Sequence, residues 1–217
     1  MARAFRRKGG RFVATLDVGE RTIVAALMEQ TRTLLAPDVA STGDPLADLF
    51  ASLERELEAP DGMPRGTDRA AFADRDPALA RLLPDGHSGD PQVAAEFRRL
   101  TEQDLRRRKT EALTAAIDAL AAIPEQVDTV SLDRPQADAL LVALTDTRLL
   151  LAERLGVRTE DDMSALEARV SLRADELGHK SDDRSEDPLT FAVAVYDFLT
   201  WLQESLAGAL LGRRLFL

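Results

Sequence analysis

The sequence predicts a mainly α-helical bundle that carries a short N-terminal β-hairpin, and three observations predict it. Asp-Pro occurs four times, at Asp44-Pro45, Asp76-Pro77, Asp90-Pro91 and Asp187-Pro188. Asp caps a helix and Pro fits its first turn, so each pair marks a helix start. Between these starts apolar residues recur at three- and four-residue spacing, the helical period. The last stretch, about Asp187 to Gly212, is apolar almost all round, which places a helix inside a bundle and not on its surface.

At the N-terminus, Ala4 to Lys8 and Arg11 to Leu16 are two β-compatible runs around Gly9-Gly10, a hairpin signature. Asp17 with Glu20 three residues on forms a capping-box pair, and Ile23, Val24, Leu27, Met28, Leu34 and Leu35 then place a helix over about 18–36. The Asp-Pro signals open helices to about Glu58, to about Leu83, from Pro91 to about Ala122, and at the C-terminus. Residues 59–75, rich in Pro, Gly and charge, read as a mobile loop. Pro124 ends the long helix. A third short strand is expected near 129–132, and Asp133 then caps a helix from Arg134 to Leu155 that Gly156 closes. Charge dominates 158–186, with a helix over about 161–177 and a second mobile segment over 178–186. The whole, 1–217, is expected to be a single α-helical domain.

Composition narrows the function. With no cysteine, disulfides, thiolate metal sites and thiol redox chemistry are excluded, and a cytoplasmic setting is the natural reading. A formal charge of −10 disfavours generic attraction to nucleic acid or anionic membranes. Leu189 to Leu211 approaches membrane-spanning length but holds Asp197, Gln203 and Glu204 near its middle, so it reads as protein core and no membrane association is expected.

An ungapped correspondence links the first helical unit to a later one at an offset of 116 residues. Thr15-Leu16-Asp17 falls over Ser131-Leu132-Asp133, Glu20 over Gln136, Val24 over Leu140, Met28 over Leu144, Thr31-Arg32 over Thr147-Arg148, and Leu34-Leu35-Ala36 over Leu150-Leu151-Ala152. A true repeat would pair the two β-runs in one sheet with their helices side by side. Chance likeness between two capped amphipathic helices accounts for the strings equally well.

Few residues carry candidate chemistry. Asp197 and Glu204 share one face of the C-terminal helix, a spacing that could supply a general acid and base. The structural alternative, which is favoured, is a buried ionic network in which they pair with Arg32, Arg148 or Arg154, because a buried carboxylate must find a partner. No ExxH pattern supports a di-metal bundle, His87 and His179 read as loop bystanders, and no cofactor or metal site is expected. Arg3, Arg6, Arg7, Lys8 and Arg11 precede the first acid, Asp17. On a hairpin they could grip an acidic partner or phosphates, or protect a sheet edge from association, the preferred account. Arg98, Arg99 and Arg106 to Lys109 are interleaved with Glu102, Asp104 and Glu111, with Glu102–Arg106 and Asp104–Arg108 at i,i+4, and read as a solvated salt-bridged face. A helix-turn-helix built from 77–83 and 91 onward is disfavoured by its long connection and by Asp90 and Glu96 at the would-be recognition helix.

Several separate strings carry a resemblance: Phe5 to Gly10, Asp76 to Asp85, Glu96 to Glu102, Thr145 to Val157 with its Arg-Leu-Gly, and Tyr196 to Leu206. In this order, and over nearly the whole chain, the sequence resembles the actinobacterial domain of unknown function two thousand seventeen. The resemblance implies a cytoplasmic protein, often encoded beside the Clp protease adaptor, with some members described as transcriptional or oxidative-stress regulators. It implies no catalytic residues, and thiol-based sensing cannot operate in a chain without cysteine. The reading is a regulatory interaction protein acting through protein contacts, with RNA polymerase or a sigma factor, or the Clp system, as partners and a homodimer open. A DNA-binding regulator using the basic hairpin is the alternative, and an enzyme using Asp197 and Glu204 the third reading.

Overall fold

The computed structural model describes residues 2–36, 76–84, 86, 91–177 and 187–212. Strands β1 (Arg3–Lys8) and β2 (Arg11–Thr15) form the hairpin, followed by helices α1 (Val18–Leu35), α2 (Pro77–Leu82) and α3 (Pro91–Ala121). Strand β3 (Thr129–Leu132) then leads into α4 (Arg134–Arg154), α5 (Glu160–Leu177) and α6 (Pro188–Leu210). The expected helix to Glu58 and both segments expected to be mobile lie outside the described residues. Among the described residues no helix is long and apolar enough to cross a membrane.

Local chemistry sets these limits. Gly9 and Gly10 have φ of 57° and 81°, the left-handed pair that a two-residue hairpin turn requires. Asp17 accepts the Glu20 amide at 2.9 Å while the Glu20 carboxylate accepts the Asp17 amide at 2.8 Å, and Asp133 with Gln136 repeats the arrangement at 2.9 and 3.0 Å. Asp76 and Asp187 cap α2 and α6, each with Pro at the first helical position. Leu155 and Gly156 end α4, Gly156 with φ of 72°.

The sheet has the order β1-β2-β3 and is antiparallel throughout. Phe12, Ala14, Leu16, Val130 and Leu132 face the core. The register between β1 and β2 slips between Arg3 and Arg6, a bulge that frees the buried Phe5 amide to donate to the Ser205 hydroxyl of α6 at 3.2 Å. The first strand and the last described helix are therefore joined through the core.

Helix α4 occupies the centre, packed by α1, α2, α3 and α6. This corrects the expectation that the C-terminal helix is enclosed on all sides. Its Leu189, Ala192, Leu199, Leu202 and Leu206 are buried, but Ala194, Asp197 and Glu204 form an exposed stripe, flanked by half-buried Tyr196 and Trp201. Hydropathy counts apolar residues without regard to which neighbours cover them, and this helix walls the bundle instead of filling it.

The correspondence at 116 residues is geometrical as well as textual. Strand β2 pairs with β3 so that Ala14 faces Val130, its own counterpart. One layer away the Thr31 hydroxyl lies 3.4 Å from that of Thr147, again its counterpart at a separation of 116. Each threonine also donates to the carbonyl four residues earlier, Leu27 and Ala143. Equivalent residues meeting at two levels is what a local two-fold axis between the units β2-α1 and β3-α4 requires. Buried Arg21, Val24, Leu27, Met28, Thr31 and Leu35 of α1 map onto buried Ala137, Leu140, Ala143, Leu144, Thr147 and Leu151 of α4. Chance likeness of two capped helices does not account for that coincidence.

Candidate functional site

The basic hairpin is held rigidly and presented outward. Pairing with β2, anchorage of β2 on β3, and the Phe5–Ser205 bond fix β1, while Arg3, Arg6, Arg7, Lys8 and Arg11 are all exposed. Arg11 spans to β3, donating to the Ser131 hydroxyl at 2.8 Å and the Ser131 carbonyl at 2.7 Å. Arg3, Arg6, Arg7 and Lys8 make no salt bridge among the described residues.

The second basic run behaves differently. Along α3, Arg99 pairs with Glu96 at 2.7 Å, Arg106 with Glu102 at 2.8 Å, and Arg107 with Asp104 and Glu111 at 3.2 and 3.0 Å. Asp104 thus takes Arg107 and not the expected Arg108, whose side chain donates to the Asp104 carbonyl. Lys109 turns inward to Asp146 of α4. Arg99, Arg106 and Arg107 thus form the salt-bridged face expected of this stretch, whereas Lys109 belongs to the core and Arg108 pairs with no carboxylate among the described residues.

The ionic network expected of the C-terminal helix does not assemble. Asp197 and Glu204 are exposed, and neither makes a salt bridge among the described residues. Arg32 pairs with Glu29 on its own helix at 2.7 Å, and Arg154 pairs with Asp76, the cap of α2, at 2.6 Å. Arg148 alone among the three reaches α6, but it finds neutral groups there. Its Nη1 donates to Gln203 Oε1 at 2.6 Å, its Nη2 to the Tyr196 hydroxyl at 3.3 Å, and its guanidinium lies 5.2 Å from the Tyr196 ring centre. The pairing failed because its premise failed: exposed carboxylates are solvated by water and need no arginine.

Arg148 lines a groove of about 510 Å³ between α4, α5 and α6. Thr145, Tyr196, Asp197 and Gln203 share the lining, and Leu149, Val157 and Met163 give it an apolar wall. Glu204 is not part of it, so the two carboxylates that suggested an acid and a base do not share a site. Exposed as its side chain is, partial desolvation at the groove wall, and then the Glu167 carboxylate of α5, raise the Asp197 carboxyl from its ordinary value. At the groove's edge Glu153 receives both Arg158, at 2.5 Å, and Arg81, at 3.3 Å. Burial pushes the Glu153 carboxyl up, but these two guanidiniums outweigh it and hold the group below its ordinary value. Among the described residues no group of three or more His, Cys, Asp or Glu side chains could hold a metal ion.

Two buried charged groups went unnoticed in the sequence. Arg21 is 5% exposed and donates to three main-chain carbonyls, of Leu16 at 2.8 Å, Val127 at 2.6 Å and Pro124 at 3.1 Å. Its signal was its position on the apolar face of α1 with Val24, Leu27 and Met28. Asp146 is 2% exposed, pairs with Lys109, and leaves Oδ2 without a hydrogen bond. Nothing in the string Thr145-Asp146-Thr147 distinguishes it from a surface aspartate.

Neither a curated protein nor a solved structure matches the chain. One family does, that described as Domain of unknown function (DUF2017), over residues 2–210, a span that runs from β1 to the end of α6. Hairpin, groove and buried pair all lie inside that match, and the chain belongs to the DUF2017 family.

Proposed function

We propose that the protein is a cytoplasmic, non-catalytic regulator that works by docking an acidic protein surface on its N-terminal hairpin. One observation carries this reading. In a chain of formal charge −10, Arg3, Arg6, Arg7 and Lys8 stand exposed on a rigid hairpin with no carboxylate on them among the described residues, while Arg99, Arg106 and Arg107 of α3 are neutralised in place. Edge protection explains charge on a short strand, but it does not require that four cations stand together without a carboxylate among the described residues. A cationic patch on an anionic body accelerates encounter with an acidic partner and repels other surfaces of like sign. RNA polymerase with a sigma factor, or components of the Clp system, are the partners proposed, and a homodimer would present two such hairpins.

The test presents RNA polymerase, isolated sigma factors, Clp components and duplex DNA separately to the full chain and to an R6E/R7E/K8E variant. One protein partner is expected to bind the full chain, to weaken with salt, and to associate at least about tenfold more slowly with the variant. Binding to duplex DNA alone, with a steep salt slope that the variant loses, would replace this reading by the DNA-binding one. Equal binding of the variant and the full chain to a protein partner would refute the role of the hairpin.

A further inference from the structure

We infer that the groove beside Arg148 is a binding site for a small amphipathic anion, a ligand with an apolar body and one carboxylate or phosphate head. The inference is independent of the hairpin, and it comes from comparing the two halves that the local two-fold axis relates. A second groove, of about 570 Å³, lies against α1 and is lined by Glu29, Arg32, Thr33 and Ala36. Their counterparts at an offset of 116, Thr145, Arg148, Leu149 and Ala152, line the groove on α4. The same four positions thus shape both depressions.

The two copies differ at one decisive place. On α1, Glu29 neutralises Arg32 at 2.7 Å. On α4 that carboxylate is replaced by Thr145, and Arg148 keeps its cation without a salt bridge. Gln203 bridges the vacancy, accepting from Arg148 at 2.6 Å and donating to the Thr145 hydroxyl at 2.8 Å, so the guanidinium is positioned without being neutralised. Of its five N–H groups, one on each terminal nitrogen is used, and Nε is buried with no partner. A half-buried guanidinium held by neutral groups, at the wall of a groove, is poised for an oxyanion. The other cations nearby, Arg81 and Arg158, are both committed to Glu153.

Two carboxylates share the lining, Asp197 and Glu160, and neither pairs with Arg148. Replacing Thr33 of the α1 groove by Leu149 makes this site the more apolar of the two at that position, which suits a ligand body larger than the head alone.

The probes are benzoate and phenyl phosphate, titrated at constant ionic strength and followed by calorimetry and by the Tyr196 and Trp201 signals. Saturable binding of one probe to the full-length chain is expected. Arg148→Gln should weaken it at least about tenfold, since a charge-assisted bond is removed. Thr145→Glu, at an exposed position where folding is not at stake, should do the same by restoring the arrangement of Glu29 and Arg32. Arg32→Gln should leave binding unchanged. Preference for phenyl phosphate assigns a phosphate head, and preference for benzoate a carboxylate. No saturable binding of either probe, or undiminished binding by Thr145→Glu, would overturn the site.

Discussion

Lys109→Met is expected to destabilise the protein by roughly 3–5 kcal/mol, the cost of leaving a buried charge alone. Asp146 is nearly inaccessible, and without Lys109 its carboxylate has no cation and no hydrogen bond on Oδ2. The reverse change, Asp146→Leu, should cost less, because the Lys109 side chain keeps 16% of its exposure and its stem is long enough to carry the ammonium to water. The double variant Lys109→Met with Asp146→Leu should be as stable as the natural chain or about 1–4 kcal/mol better, since it removes two desolvated charges together. Urea unfolding of the four proteins measures this, and equal losses in the two single variants would contradict it. The pH dependence has a definite sign. Burial, only partly opposed by Lys109, raises the Asp146 carboxyl in the folded protein, so the fold binds a proton that the unfolded chain releases. That contribution to stability is fully present below the ordinary carboxylate range and is lost as pH rises through the raised folded value. Subtracting the double variant's profile isolates it from carboxylates such as Glu153, whose lowered value acts the other way.

Arg21→Met is expected to cost a similar amount, roughly 3–5 kcal/mol, by a different route. The side chain volume is nearly kept, but three carbonyls that share one guanidinium lose a charge-assisted partner. Two of them belong to the segment that leads into β3 and the third, of Leu16, directly follows β2, so the damage should concentrate where β2 and β3 meet. Amide exchange at Leu16, which donates to the Asp128 carbonyl at 2.8 Å, reports it directly. Arg21→Lys should recover only part of the loss, because a single ammonium cannot reproduce the planar fork. Full recovery by lysine would mean that charge alone, and not geometry, holds the three carbonyls.

Much of the fold was legible because it is written in local signals. Asp caps, Asp-Pro starts and Gly156 delimit helices through bonds made within four residues, and the Gly9-Gly10 pair selects a tight turn. Strand β3 was legible from four residues, and its partner only on the condition that the repeat was real. The candidate network was not legible, because Arg148 chose its neighbours across the α4–α6 boundary, and no local rule ranks Gln203 and Tyr196 above Asp197 and Glu204. Exposure was the deeper error. The burial of α6 was inferred from its composition, whereas Asp146, a lone acid among threonines, is the carboxylate that the core encloses.

The bond between Phe5 and Ser205 sets a schedule for the nascent chain. The two residues are 200 apart, and at roughly 5–20 residues per second a ribosome needs about 10–40 s to deliver the second after the first. Through that interval Phe5 has no α6 to cover it, and β2 has no β3 until Thr129 to Leu132 have been added, so strands β1 and β2 leave the exit tunnel long before their partners exist. Completion of the core therefore waits for α6 to be made, with the residues of β1 among the last to find their partners.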